Sequence, residues 1–170
     1  MRSSAFIFAG SAALLLAACG SETTSEFTTA DGDTGEYTID KDSGETSMTI
    51  KSEDGESTLR AGANVPVSLP DGFSLFPGSK VVSNTVVNEP DGKGTLVTFE
   101  AQAPADKVVA HYRDAAKAAG FDIQLEMTTN GTTMVAGERK ADGSSLSVTA
   151  TTSESGGTTG QVIIGTKKGG

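Results

Sequence analysis

The stretch that decides the fold is PADKVVAHYRDAAKAAG, residues 104–120. Val108, Tyr112, Ala115 and Ala119 fall at i, i+4, i+7 and i+11, and Val109 and Ala116 widen the stripe, so these residues predict one amphipathic helix of about four turns. Pro104 suits the first helical position, Asp106 opposes the dipole in the first turn, and Gly120 is placed to end the helix. No other segment of the mature chain carries this period, so one helix must be combined with strands.

Outward from the helix, the period changes to two. On the N-terminal side, Lys80 to Asn88 and Thr95 to Ala101 read as strands joined by the turn Pro90-Asp91-Gly92. On the C-terminal side, strands are expected at Phe121 to Thr128, Thr133 to Arg139, Ser145 to Thr151 and Gly160 to Lys167. The turns between them are Asn130-Gly131, Asp142-Gly143 and Gly156-Gly157. The order β-β-α-β-β-β-β implies an α+β domain, an antiparallel sheet with one packed helix, over residues 65–170. Residues 61–80 hold three Pro and three Gly and read as an irregular connector that supplies Val67, Leu69, Phe73, Leu75 and Phe76 to the core.

Further upstream a Gly-Glu pair recurs at 35–36, 44–45 and 55–56, each opening a short stretch. Tyr37 and Ile39, then Met48 and Ile50, then Leu59 alternate with polar residues, which predicts a three-strand acidic β-meander within residues 35–64. Residues 19–34 are polar apart from Phe27 and read as a flexible tether. Charge divides at the same place. Residues 19–64 carry eleven acids against three bases, whereas residues 65–170 carry eleven against nine.

Residues 1–18 differ from everything after them. Behind Met1-Arg2, the uncharged run Ala5 to Ala18 is too short for the roughly 20 residues of a spanning helix and has the form of a secretory signal. It ends in Leu16-Ala17-Ala18-Cys19-Gly20, which resembles the bacterial lipobox: a branched apolar residue, two small residues, then the only Cys of the chain. The resemblance implies cleavage between Ala18 and Cys19, a diacylglycerol on the Cys19 sulfur, and anchoring without a transmembrane helix. Gly20, where an Asp would signal inner-membrane retention, favours the inner leaflet of the outer membrane, facing the periplasm. A second resemblance lies in Leu75-Phe76-Pro77-Gly78-Ser79-Lys80-Val81, Val109-Ala110-His111-Tyr112-Arg113-Asp114-Ala115 and Ala118-Ala119-Gly120-Phe121. These elements are similar to a YPGAKV...FYxxxLxxxGW module of small bacterial lipoproteins. It implies a fold and a compartment and carries over no catalytic residue.

Composition removes several function classes. A net charge of -9 opposes binding to nucleic acid phosphates. One Cys and one His leave no set for a Cys/His zinc site or an iron–sulfur cluster, and no cofactor is implied. His111 is the strongest general-base candidate, yet only Asp114 stands near it in sequence and no nucleophile elbow or phosphate loop is present. Asp31, Asp33, Asp40 and Asp42 lie at acidic turns whose spacing does not fit an EF-hand loop, so no metal site is expected. The expected function is therefore a non-catalytic binding or interaction module in the envelope, with the membrane and an envelope protein as partners. The alternative is a carrier or sensor that holds a small apolar ligand among Phe73, Phe76, Tyr112 and Phe121; a hydrolase using His111 ranks below both.

Overall fold

The computed structural model describes residues 22–30, 32–153 and 156–167. The described residues form ten strands: β1 Glu22–Thr28, β2 Thr34–Asp40, β3 Thr46–Ser52, β4 Gly55–Gly62, β5 Lys80–Glu89, β6 Gly92–Ala101, β7 Asp122–Thr129, β8 Thr132–Arg139, β9 Ser144–Thr152 and β10 Thr158–Lys167. The helix α1, Ala105–Ala118, stands between β6 and β7.

All ten strands join one antiparallel sheet in the order β1-β2-β3-β4-β5-β6-β10-β9-β8-β7. This overturns the expected class of a small α+β domain with a short meander in front of it: strand accounts for 59% of the described structure and helix for 10%. The meander is the continuation of the main sheet, because β4 pairs with β5 from Thr58↔Asn88 to Gly62↔Asn84. Alternation identified strands on both sides of residue 64. It could not reveal that the chain leaves the sheet through residues 63–79 and returns beside the strand it left.

The tether requires a second correction, since residues 22–28 form β1 along the edge of β2. Every residue of β1 is exposed, so no core burial announces it in the sequence. It is held by its ladder, by a 3.0 Å bond between the Thr24 and Thr38 hydroxyls, and by the Phe27 ring, which lies over Gly35 where a Cβ would stand. An aromatic covering a cross-strand glycine in this way supplies the packing that glycine lacks.

Three antiparallel strands separate β6 from β7, so these two run parallel and the connection must cross a face of the sheet. The helix α1 makes that crossing and packs on β7–β10. Pro104 occupies its N-cap, one position earlier than expected. At its other end Gly120 adopts φ +82°, while the Phe121 N–H donates to the Ala116 carbonyl at 2.9 Å and the Gly120 N–H to Lys117 at 3.1 Å. These are the two bonds of a Schellman stop. The core lies between helix and sheet: Val108, Val109, Tyr112 and Ala116 from α1 meet Val97 and Phe99 of β6, Val135 of β8, Leu146, Val148 and Ala150 of β9, and Val162 and Ile164 of β10.

Candidate functional site

The connector, residues 63–79, has no strand or helix of its own and passes over the helix side of β5 and β6. Four side chains hold it there through five hydrogen bonds. Asn84, fully buried on β5, donates from Nδ2 to the Pro66 carbonyl at 2.9 Å and to Val65 at 3.4 Å. Thr95 Oγ1 donates to Ser68 at 3.3 Å. The Phe76 N–H donates to Tyr112 Oη at 3.0 Å, and His111 Nε2–H to the Ser74 carbonyl at 3.1 Å.

Beneath the connector lies an aromatic seam. Phe73 meets Phe121 edge-on with centroids 5.7 Å apart. Phe76 meets His111 at 5.6 Å, His111 meets Tyr112 at 5.0 Å, and Tyr112 meets Phe99 at 5.9 Å. Phe73, Phe76, Tyr112 and Phe121 thus fall in two separate ring sets, Phe73 with Phe121 and Phe76 with His111, Tyr112 and Phe99, packed in or against the same hydrophobic core. Tyr112 is 0% exposed. Burial pushes its phenol above the usual range, partly opposed by the Phe76 N–H, which favours the phenolate.

Arg139 closes the seam beside the helix end, a role with no signature in a lone Arg at a strand end. Its guanidinium carbon stands 5.1 Å from the Phe121 ring centroid. It donates to the Ala119 carbonyl at 3.3 Å and to both Asp142 oxygens, at 2.7 and 3.1 Å. A cation here meets the negative end of the helix and an aromatic face together. Asn84 was equally illegible. Its Oδ1 and the hydroxyl of Ser79 are the buried side-chain polar atoms without a hydrogen-bond partner among the described residues, so the helix side of β5 carries a buried acceptor under the connector.

His111 is committed to the seam. Asp114, the carboxylate near it in sequence, pairs with Arg113 at 3.0 Å, and Arg113 also holds Glu126 at 3.0 Å. Asp40 spends its Oδ1 on the N–H groups of Asp42 and Ser43, at 2.8 and 3.1 Å, and these bonds hold its carboxyl below the usual range. No group of three or more His, Cys, Asp or Glu side chains is gathered for a metal among the described residues. Asp31, and Ala18 and Cys19 of the stretch that resembles a lipobox, lie outside those residues.

Two open depressions lie elsewhere. One, of about 640 Å³, sits on the helix side of β1–β4 and is lined largely by polar residues, among them Glu26, Glu36, Lys51 and Glu56. The other, of about 260 Å³, lies at the turn end of β5, β6, β9 and β10 and includes Lys93 and Lys167. Neither has the apolar lining that small-molecule sites favour. No described helix is long and apolar enough to cross a membrane.

A search of the curated proteins and of the solved structures gives no match for this chain. The family model described as START domain-like matches residues 81–160, a span that runs from β5 through α1 to the start of β10 and contains the seam's Tyr112, Phe121 and Arg139.

Proposed function

We propose that the chain is a lipid-anchored, non-catalytic binding module of the bacterial cell envelope, held by Cys19 at the inner leaflet of the outer membrane and facing the periplasm. Its ligand is a small apolar molecule, taken between the connector and the helix–sheet seam. The observation that carries this reading is the START domain-like match over residues 81–160, because that similarity favours an apolar or lipid ligand and coincides with the part of the sheet that α1 covers.

The residues beside the match fit such a role. The connector has no backbone ladder to break, and its apolar side chains Val67, Leu69, Phe73, Leu75 and Phe76 pack on the core while remaining partly exposed. A ligand would enter by displacing Phe73 and Phe76, with the Asn84 acceptor as its polar contact. Among the described residues His111 bonds to the Ser74 carbonyl and to no orienting carboxylate, which supports binding rather than hydrolysis.

Two measurements test the reading. Lipid labelling with a palmitate analogue is expected in cells and is expected to vanish in Cys19→Ser; undiminished labelling in that variant overturns the anchor. Dodecanoate and a short-chain phospholipid are then titrated into the purified protein. A ligand that binds only the native state raises stability by about 2.7 kcal/mol at a hundredfold excess over Kd, and Phe76→Ala should alter that shift. No shift with either probe, and no apolar molecule released on denaturing the native protein, removes the carrier reading.

A further inference from the structure

The charged residues of β1–β4 share one face. Following the ladders outward from the helix-covered row Val97 and Val162, Asn84 and Gly62 lie on the helix side, and so, by alternation, does Arg60. Pairing then places Ser47, Thr49 and Lys51 of β3, Thr34, Glu36, Thr38 and Asp40 of β2, and Glu22, Glu26 and Thr28 of β1 on that same side. Glu22, Glu26, Glu36, Asp40, Lys51, Glu56 and Arg60, all the charged residues of these four strands, therefore point one way. The opposite face presents Phe27, Tyr37, Ile39, Met48, Ile50 and Leu59 among Ser, Thr, Gly and Ala, without a single charge. Phe27 is 38% and Ile39 36% exposed, and α1 and the connector both lie on the other side of the sheet.

The start of β1 stands three residues after Cys19. Three residues span at most about 11 Å when fully extended, and the headgroup layer is itself several ångströms thick. If the Cys19 sulfur carries its diacylglycerol, β1 has no tether long enough to stand clear of the lipid surface. The β1 edge of the sheet must then lie near it, and a sheet that leans onto the lipid from that edge does so on one of its two faces. Turning the charged face down would strip water from carboxylates that have too few cations to pair with, and would oppose them to anionic lipids.

We propose that the uncharged face of β1–β4 seats on the membrane surface, with Phe27, Tyr37, Ile39 and Met48 at the boundary between headgroups and acyl chains, so that the strands orient the binding module over the bilayer. This rests on the Cys19 anchoring proposed above. An amphipathic sheet lying in the interface follows the same rule as an interfacial helix: its apolar area adds to the pull of the lipid chains.

The test places a nitroxide at Ile39→Cys or at Thr24→Cys, sites on opposite faces beside the same end of β1, in lipidated protein on vesicles of phosphatidylethanolamine and phosphatidylglycerol. Lipid on the Cys19 sulfur leaves the introduced thiol as the one that takes the label. Position 39 should show several-fold lower accessibility to a nickel chelate than position 24, and the difference should shrink in the unlipidated protein in solution, where Ser replaces Cys19. Hydrogen exchange of the unlabelled protein provides a readout independent of the substitutions, with β1–β4 expected to gain protection on vesicles. Equal nickel accessibility at the two positions of vesicle-bound protein overturns the proposal while leaving the anchor intact. Shielding of position 39 in solution, with spin–spin broadening that grows with protein concentration, overturns it in favour of a second copy of the chain on that face. Protein that carries no lipid and stays off the vesicles overturns the anchor, and the orientation falls with it.

Discussion

The strands β1–β4 and β6, β8, β9 and β10 belong to one hydrogen-bonded sheet and carry their apolar rows on opposite faces of it. In β6, β8, β9 and β10 the apolar rows point at α1, as in Val97, Val162, Val148 and Val135, which are all fully buried. In β1–β4 the apolar rows Phe27, Tyr37, Ile39, Met48, Ile50 and Leu59 point away from α1, and none of them is buried. A continuous ladder therefore does not imply a shared core. Backbone pairing transmits register across β4 and β5, but side-chain parity decides which face each strand offers, and the two parts of this chain offer different ones.

The comparison breaks first if truncation costs the same in both parts. Phe99 is fully buried, covers Gly160 and packs on Tyr112, so Phe99→Ala should cost about 3–5 kcal/mol, an amount able to unfold a domain whose stability is at the low end of about 5–15 kcal/mol. Ile50→Ala, at a half-buried site on the free face, should cost about 1–2 kcal/mol in the soluble protein. Denaturant midpoints of the two variants, measured together, decide it; a larger loss from Ile50→Ala would mean that β1–β4 carry core of their own.

Hydrogen exchange sharpens the same contrast. Amides of β6, β9 and β10 should open only with global unfolding, whereas those of β1–β3 should exchange through a cheaper local opening, because few apolar contacts must be broken there. Uniform protection across the ten strands would contradict this.

A smaller effect separates the two ends of the helix-covered part. The Asp142 carboxyl is held well below its ordinary value of 3.8, first by the Arg139 guanidinium and then by the Ser144 N–H. A group whose native value is depressed contributes stability above its unfolded value and loses it as pH falls through the native one. The wild-type protein should therefore lose stability below about pH 4 more steeply than Asp142→Asn, and the two should converge in strong acid. Thermal melts at pH 3 and pH 7 check it; parallel losses in the two proteins would show that the Arg139–Asp142 pair contributes nothing to native stability.

Much of the local structure is written in short-range patterns. The stripe Val108, Tyr112, Ala115 and Ala119, widened by Val109 and Ala116, marks α1 and Gly120 its end, although the side buried in the structure runs through Ala116 rather than Ala115 and Ala119; Asn130-Gly131 marks the β7–β8 turn, and Tyr37, Ile39, Met48, Ile50 and Leu59 mark β2–β4. In the seam, the four aromatic positions were legible as large apolar residues flanking one helix. Arg139 and Asn84 were not, because each acts through a partner distant in sequence: Arg139 through the Ala119 carbonyl and the Phe121 ring, Asn84 through the carbonyls of Val65 and Pro66. The strand β1 escaped notice for a related reason: ETTSEFT alternates, yet buries nothing, and takes its order from an edge that only β2 provides.

By itself, then, the sequence determined the period of α1 and of the strands after β1, the turns between most of them and the acidic character of residues 19–64, since all of these are properties of neighbours along the chain. Only the tertiary structure decided that the meander and the helix-covered strands form one sheet, that β10 inserts beside β6, and that the apolar rows of the two parts lie on opposite faces. These depend on which edges meet after residues 63–79 leave and return, and on a pairing in which a shift of one residue would reverse every side chain.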